Sequence, residues 1–252
     1  MGLSGLMPAR ERAIAVASPA DEPPRPWSLP LVAVSAALWG AGLVAPWDRA
    51  RVAGLAAQLN LCASDRVMLV GAGPGGVAAL LSAVSGAEVF AYEADPVLAS
   101  LGQTRSFRPR HPEFGRRRFD HAVILEGWEG GRLEDLLAGV AFALRPGGRI
   151  LLDAALPDPE RACRILRLLR CEVTAAEDHS AGVARVATSA WAGMAARLQQ
   201  AGGESRLPQA GRLALRDMAQ DWMRHLGRLR SGQLRHVRLV AHAAGIGLCQ
   251  AA

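Results

Sequence analysis

The chain has 252 residues, half of them hydrophobic and about a fifth charged, with a formal charge of +6. Such a length and apolar content suit a substantial core and exclude a disulfide-stapled miniature protein. All 29 basic residues are arginine, beside an abundance of alanine and glycine. No aromatic-and-basic interleaving or zinc-finger spacing accompanies them, so the charge reads as compositional and a nucleic-acid partner is disfavoured. Cys62, Cys163, Cys171 and Cys249 form no CxxC pair; they read as reduced, buried thiols of a cytoplasmic protein, with no metal site.

In chain order, Met1–Pro26 mixes Pro, Ala, Arg and acidic residues without periodicity and reads as a disordered leader. Pro26–Trp47 holds no charged residue over 22 positions, with Trp27 and Trp47 near its ends. That length matches a bilayer, but Pro30 and Pro46 shorten the helical part and Ala and Gly dilute it. The favoured reading is therefore a buried helix beside the nucleotide site, with membrane association second. Asp48–Asn60 reads as a helix with Val52, Leu55, Ala56 and Leu59 on one face. Residues 27–60 thus form a helical extension, and 61–252 form the main domain.

Val67–Pro96 reads as a complete β-α-β unit. Val67–Val70 is an apolar strand, Gly71-x-Gly73-x-x-Gly76 the turn, Val77–Ser85 a helix and Glu88–Tyr92 a second strand ending on Glu93. The first glycine of such a turn makes the bend, the second admits a ligand to the backbone and the third lets helix and strand pack. Glu93, 17 positions after Gly76, suits both hydroxyls of a ribose, so the unit points to a nucleoside-containing ligand.

Pro96–Gly102 begins a short helix, and Gln103–Arg118 reads as a polar loop with five arginines from Arg108 to Arg118. Most such runs are solvated surface. Phe119–Leu125 is a strand, Arg132–Leu144 a helix, Arg145–Gly148 a turn and Ile150–Asp153 a strand. There follow a helix at Pro157–Leu169, a strand at Cys171–Ala176 and a turn over Glu177–Ser180. Helices at Ala181–Gln200 and Leu213–Arg230 precede a last strand at Leu234–His242. Leu215, Met218, Trp222, Leu226 and Leu229 make an apolar stripe on the long final helix, read as packed on the sheet. Arg212, Arg216, Arg224 and Arg228 form a solvated face there, with lipid or subunit docking as the sharper alternative.

The glycine loop, Glu93, Phe119-Asp120 opening a strand, and LRPGGRILL after the next helix together resemble the class I S-adenosylmethionine-dependent methyltransferases. In that turn Pro146 stops the helix and Gly147 and Gly148 permit the reversal. The resemblance covers roughly residues 48–180. It implies an α/β, Rossmann-like three-layer sandwich with a mostly parallel seven-stranded sheet and an antiparallel C-terminal strand. It also implies S-adenosyl-L-methionine as cofactor and a small-molecule or lipid-like methyl acceptor. By resemblance Gly71, Ala72, Gly73 and Gly75 lie beneath the methionine part, Glu93 binds the ribose, and Ala94 and Asp95 lie beside the adenine. Glu126 and Trp128 line the cofactor or substrate cleft. One position departs from the family: the acidic residue expected two before the first glycine is Leu69. The same departure makes VMLVGAGPGG similar to the FAD- or NAD-binding start of flavoprotein oxidoreductases. Its late place in the chain, the lack of a second flavin motif and the LRPGG turn favour the methyltransferase. A non-catalytic cofactor-binding relative is the other alternative.

No Asn/Asp-Pro-Pro-aromatic or Pro-Cys motif follows the fourth strand, which disfavours base methylation. Candidate general bases are Glu126, Asp153, Asp178 and His179, each near the carboxyl end of a strand. His111, His121, His225, His236 and His242 have no metal spacing and read as structural or exposed.

Overall fold

A computed structural model describes residues 25–108, 112–126 and 132–244. Its helices are α1 (Leu29–Trp39), α2 (Arg49–Leu59), α3 (Gly76–Ser85), α4 (Pro96–Ser100), α5 (Leu133–Ala143), α6 (Pro159–Leu168), α7 (Ser180–Gln200) and α8 (Gln209–Arg230). Its strands are β1 (Arg66–Val70), β2 (Glu88–Glu93), β3 (Arg105–Ser106), β4 (Phe119–Ile124), β5 (Leu144–Leu156), β6 (Cys171–Asp178) and β7 (Arg235–Ala243). They form one seven-stranded sheet in the order β3-β2-β1-β4-β5-β7-β6, with β7 antiparallel to both its neighbours.

Alternation along the strands sends side chains to two apolar layers. On one face Met68, Ile124, Leu152 and Leu239 pack with Leu137 and Val140 of α5 and Leu166 of α6. On the other, Leu69, Val123, Leu151 and Val240 pack with Val52, Leu55 and Leu59 of α2 and Leu81 of α3. Because both faces are covered, β1 is apolar throughout its buried length, as parallel strands are. Leu69 belongs to this second layer and is fully buried. A carboxylate there would lose its hydration among Leu and Val side chains, which gives a packing reason for the departure noted above.

Asp48 accepts a hydrogen bond from the Arg51 amide at 2.7 Å and starts α2, and Asn60 ends it in a left-handed conformation. The helix expected beside the nucleotide site proves different. In α1 apolar residues go all round, only Ser35 is buried, and the helix lies against α8 and α7. The turn that follows it reaches the glycine loop instead: Gly42 O accepts from Gly76 N at 3.0 Å, while Leu43 and Trp47 enter the core. Ser35 Oγ donates to Leu43 O at 3.1 Å and secures that turn. Among the described residues no helix is long and apolar enough to cross a membrane.

Three other expectations change. The polar loop before β4 contains β3 and sends Phe107 and Phe114 into the core, where Phe114 meets Tyr92 edge-on at 4.9 Å. The LRPGG segment belongs to β5 as a register shift opposite Phe119 and His121. A side chain on Gly148 would come within 2.7 Å of Asp120 O, so glycine permits this close pairing. Helix α8 stacks on α1 through Trp39 and Trp222, with ring centroids 5.2 Å apart, and on α7, forming an outer layer. Three of its arginines are engaged within the chain: Arg216 with Glu204, Arg224 with Asp221, and Arg212 with Leu207 O.

Candidate active site

The carboxyl ends of β1, β2 and β4 converge on the glycine loop. Gly71 N and Ala72 N both donate to Tyr92 O, and Leu125 N donates to Val70 O, so backbone bonds from two strands fix the loop. Gly71 has φ +74°, and a Cβ there would lie 1.9 Å from Glu126 O. Only glycine lets β1 turn this close to the end of β4. Gly73, at φ +57°, aims its N–H at Glu93 Oε2, 2.7 Å away. The other oxygen of Glu93 accepts from Ala94 N at 2.8 Å and Asp95 N at 2.9 Å. Glu93 is 2% exposed, and three backbone donors stabilise its charge there. Asp95 caps α4 through Oδ1, which accepts from Val97 N and Leu98 N. Above the loop, Val44 sits where a Cβ on Gly73 would meet it at 3.1 Å.

A second constellation lies where β4 and β5 end beside β7. Glu126 Oε1 accepts from Ala155 N at 2.9 Å and is 3.3 Å from His236 Nδ1. On the other side of the ring, His236 Nε2 meets Asp153 Oδ1 at 2.5 Å. Asp153 is fully buried; its Oδ2 also holds Arg238 Nε at 2.7 Å, and its Oδ1 holds Arg51 Nη2 at 2.7 Å. Arg51 reaches in from α2, lying over the Trp47 ring with its guanidinium carbon 3.9 Å from the centroid. Strand pairing builds most of this array, because Asp153 is opposite Arg238 and Ala155 opposite His236.

Burial disfavours charge on all these groups, and their partners reverse the balance. For His236, burial lowers the pKa, but the hydrogen bond to Asp153 and the nearby carboxylates of Glu126 and Asp153 raise it to about 9. For Glu126, which is partly buried, desolvation raises the pKa, while His236 and the Ala155 amide bring it down to about 2. Asp153 is likewise held ionised against burial by His236, Arg51 and Arg238. His225 of α8 goes the other way: burial outweighs the pull of Glu126 and keeps the imidazole uncharged. The site therefore holds an imidazolium between two carboxylates, and a neutral imidazole near them.

No protein-family model matches the sequence, and no curated protein matches it. Solved structures share its fold. Phosphoethanolamine N-methyltransferase 2 of Haemonchus contortus, in complex with S-adenosyl-L-methionine, gives a TM-score of 0.70 at 13% identity, covering 84% of this chain and 56% of that one. This chain thus spans little more than half of that protein's length. A geranyl diphosphate C-methyltransferase from Streptomyces coelicolor A3(2), in complex with Mg2+, geranyl diphosphate and S-adenosyl-L-homocysteine, gives 0.56 at 15% identity, covering 77% and 80% of the two chains. The fold is that of the class I S-adenosylmethionine-dependent methyltransferases. The cyclase SpnF shares it too, at a TM-score of 0.61 and 13% identity over 85% of this chain and 93% of that one.

Within this methyltransferase fold, Gly71, Ala72, Gly73, Gly75, Glu93, Ala94 and Asp95 come together around the loop. Asp95 does so as a helix cap, and Ala94 packs against the core. Glu126 closes the β4 side; Trp128 and His111 lie outside the described residues. Of the other candidate bases, Asp153 joins Glu126, while Asp178 and His179 do not. Asp178 accepts from Ser180 N at the start of α7, and His179 pairs with Glu177 at the β6 edge of the sheet. Arg51 and Arg238 have no role expected from the sequence, and His225 and His236 read there as structural or exposed. A signal existed for two of them: His236 and Arg238 share one face of β7, and Asp153 is the one charge in the apolar run 150–156 of β5. Adjacent strands bury such residues only as partners.

Proposed function

We propose that this protein is an S-adenosylmethionine-dependent methyltransferase acting on a small-molecule or lipid-like acceptor. The observation that carries the reading is Glu93 joined by hydrogen bonds to a positive-φ glycine loop at the carboxyl ends of β1 and β2, in a class I fold.

The residues fit the cofactor in three respects. The loop presents backbone without side chains, Glu93 stands as an acid fixed by backbone donors at the end of β2, and Glu126 O and Leu125 O face the loop at Gly71. Carbonyls of that kind suit the cofactor's ammonium end, for which Leu69 provides no carboxylate. When bound, the cofactor supplies an electrophilic methyl group on a sulfonium. The chain's part is to bind and orient, to exclude water, and to present charges fixed before the reaction.

Incubation with S-adenosylmethionine and a mixed metabolite extract tests this: binding followed by formation of S-adenosylhomocysteine is expected. Binding without turnover would indicate a cofactor-dependent interaction module. Binding of FAD or NADH in its place would indicate an oxidoreductase.

A further inference from the structure

Resting on the transferase reading, we infer that the methyl acceptor is an amine, received at the Oε2 oxygen of Glu126. Two features support this. First, Oε1 of Glu126 is engaged by Ala155 N and faces His236, whereas Oε2 has no hydrogen-bond partner among the described residues. The side chain is 39% exposed, so one oxygen of a fixed anion is open to a ligand. Second, the anion is held from behind. His236 is clamped between Glu126 and Asp153, and Asp153 is clamped by Arg51 and Arg238.

The chemistry of this arrangement discriminates between acceptors. A hydroxyl acceptor would develop negative charge beside the Glu126 carboxylate, which repels it. An amine arrives as an ammonium ion, is attracted to Oε2, and carries positive charge again once methylated. The ammonium ion gives one proton to solvent water before transfer. The nitrogen lone pair then forms the new N–C bond, and the electron pair of the breaking S–C bond stays on sulfur. The N-methylammonium product and S-adenosylhomocysteine leave. His236 touches neither reactant; it is a positioning residue that fixes Glu126. The groups facing this pair are Arg51 of α2, Asp153 of β5, Arg238 of β7, and His225 and Arg228 of α8.

The test uses the full chain and methyl-labelled S-adenosylmethionine with a metabolite extract. Label on nitrogen, read by NMR, is expected. Label on oxygen, carbon or sulfur, or no labelled product from protein that binds the cofactor, overturns the inference while leaving cofactor binding intact. Failure to bind S-adenosylmethionine overturns the transferase reading itself. Glu126→Gln should lose about 100-fold in transfer and keep its calorimetric affinity for the cofactor within about threefold. An equal loss in both would place Glu126 on the cofactor and overturn the inference. Ring titration by NMR supplies a readout without turnover: in wild type His236 titrates well above His225, and Glu126→Gln brings the His236 titration down. An unmoved His236 would contradict the clamp.

Discussion

The two halves of the site are built in different ways. The glycine loop with Glu93 is made by neighbours in sequence, and its polar contacts are mostly backbone bonds from residues 70–95. The Glu126–His236–Asp153 array is made by side chains drawn from α2, β5, β7 and the residue after β4. A local assembly of backbone donors tolerates replacement of surrounding side chains. A non-local array of buried charges depends on every member, since removing one leaves the others uncompensated. Leu69 illustrates the first case: a missing carboxylate leaves loop and glutamate in place.

The most damaging way to probe the contrast is Asp153→Ala. It leaves Arg238 and His236 buried without their shared anion, and about 3–5 kcal/mol of stability should be lost, measured by urea denaturation. Glu93→Ala removes the acceptor of three backbone donors and should cost about 3 kcal/mol, while S-adenosylmethionine affinity falls by a larger factor than in any surface variant. If Glu93→Ala binds the cofactor normally, the loop is not the site. Gly71→Ala must move the end of β4 away from a 1.9 Å overlap. A loss of about 1–3 kcal/mol in denaturation follows from overpacking of that kind.

The pH dependence is gentler and has two signs. The His236 pKa is raised from 6.5 to about 9, so its contribution to stability is complete below pH 6.5 and disappears as pH rises through about 9. The Glu126 pKa is lowered from 4.5 to about 2, so its contribution is complete above pH 4.5 and disappears as pH falls through about 2. Thermal melts of wild type should decline on the alkaline side between those His236 values, and His236→Gln should flatten that decline. At the small end, Arg216→Glu on the exposed face of α8 should change stability by less than about 0.5 kcal/mol, because its pairing with Glu204 is at the surface.

What the sequence revealed follows the same division. The β-α-β unit, the order of strands and helices, and Glu93 could be read because glycine spacing, apolar runs and a terminal acid are local signals. The long apolar segment before α2 misled as to which part touches the loop. A helix without a polar face carries no information about its neighbours, and the contact is made by Gly42 and Val44 in the turn after it. The polar loop hid Phe107 and Phe114 among arginines, although both pack in the core. His236 looked like any histidine in a strand, since its meaning lies in Asp153 on β5 and Glu126 after β4, which β4–β5–β7 pairing brings to it.

The central claim is that the glycine loop and Glu93 form a site for S-adenosylmethionine. Calorimetric titration of the wild-type chain with S-adenosylmethionine, FAD and NADH in parallel tests it most directly. The account predicts binding of S-adenosylmethionine and its loss in Glu93→Ala. Tight binding of FAD or NADH with none of S-adenosylmethionine would contradict it.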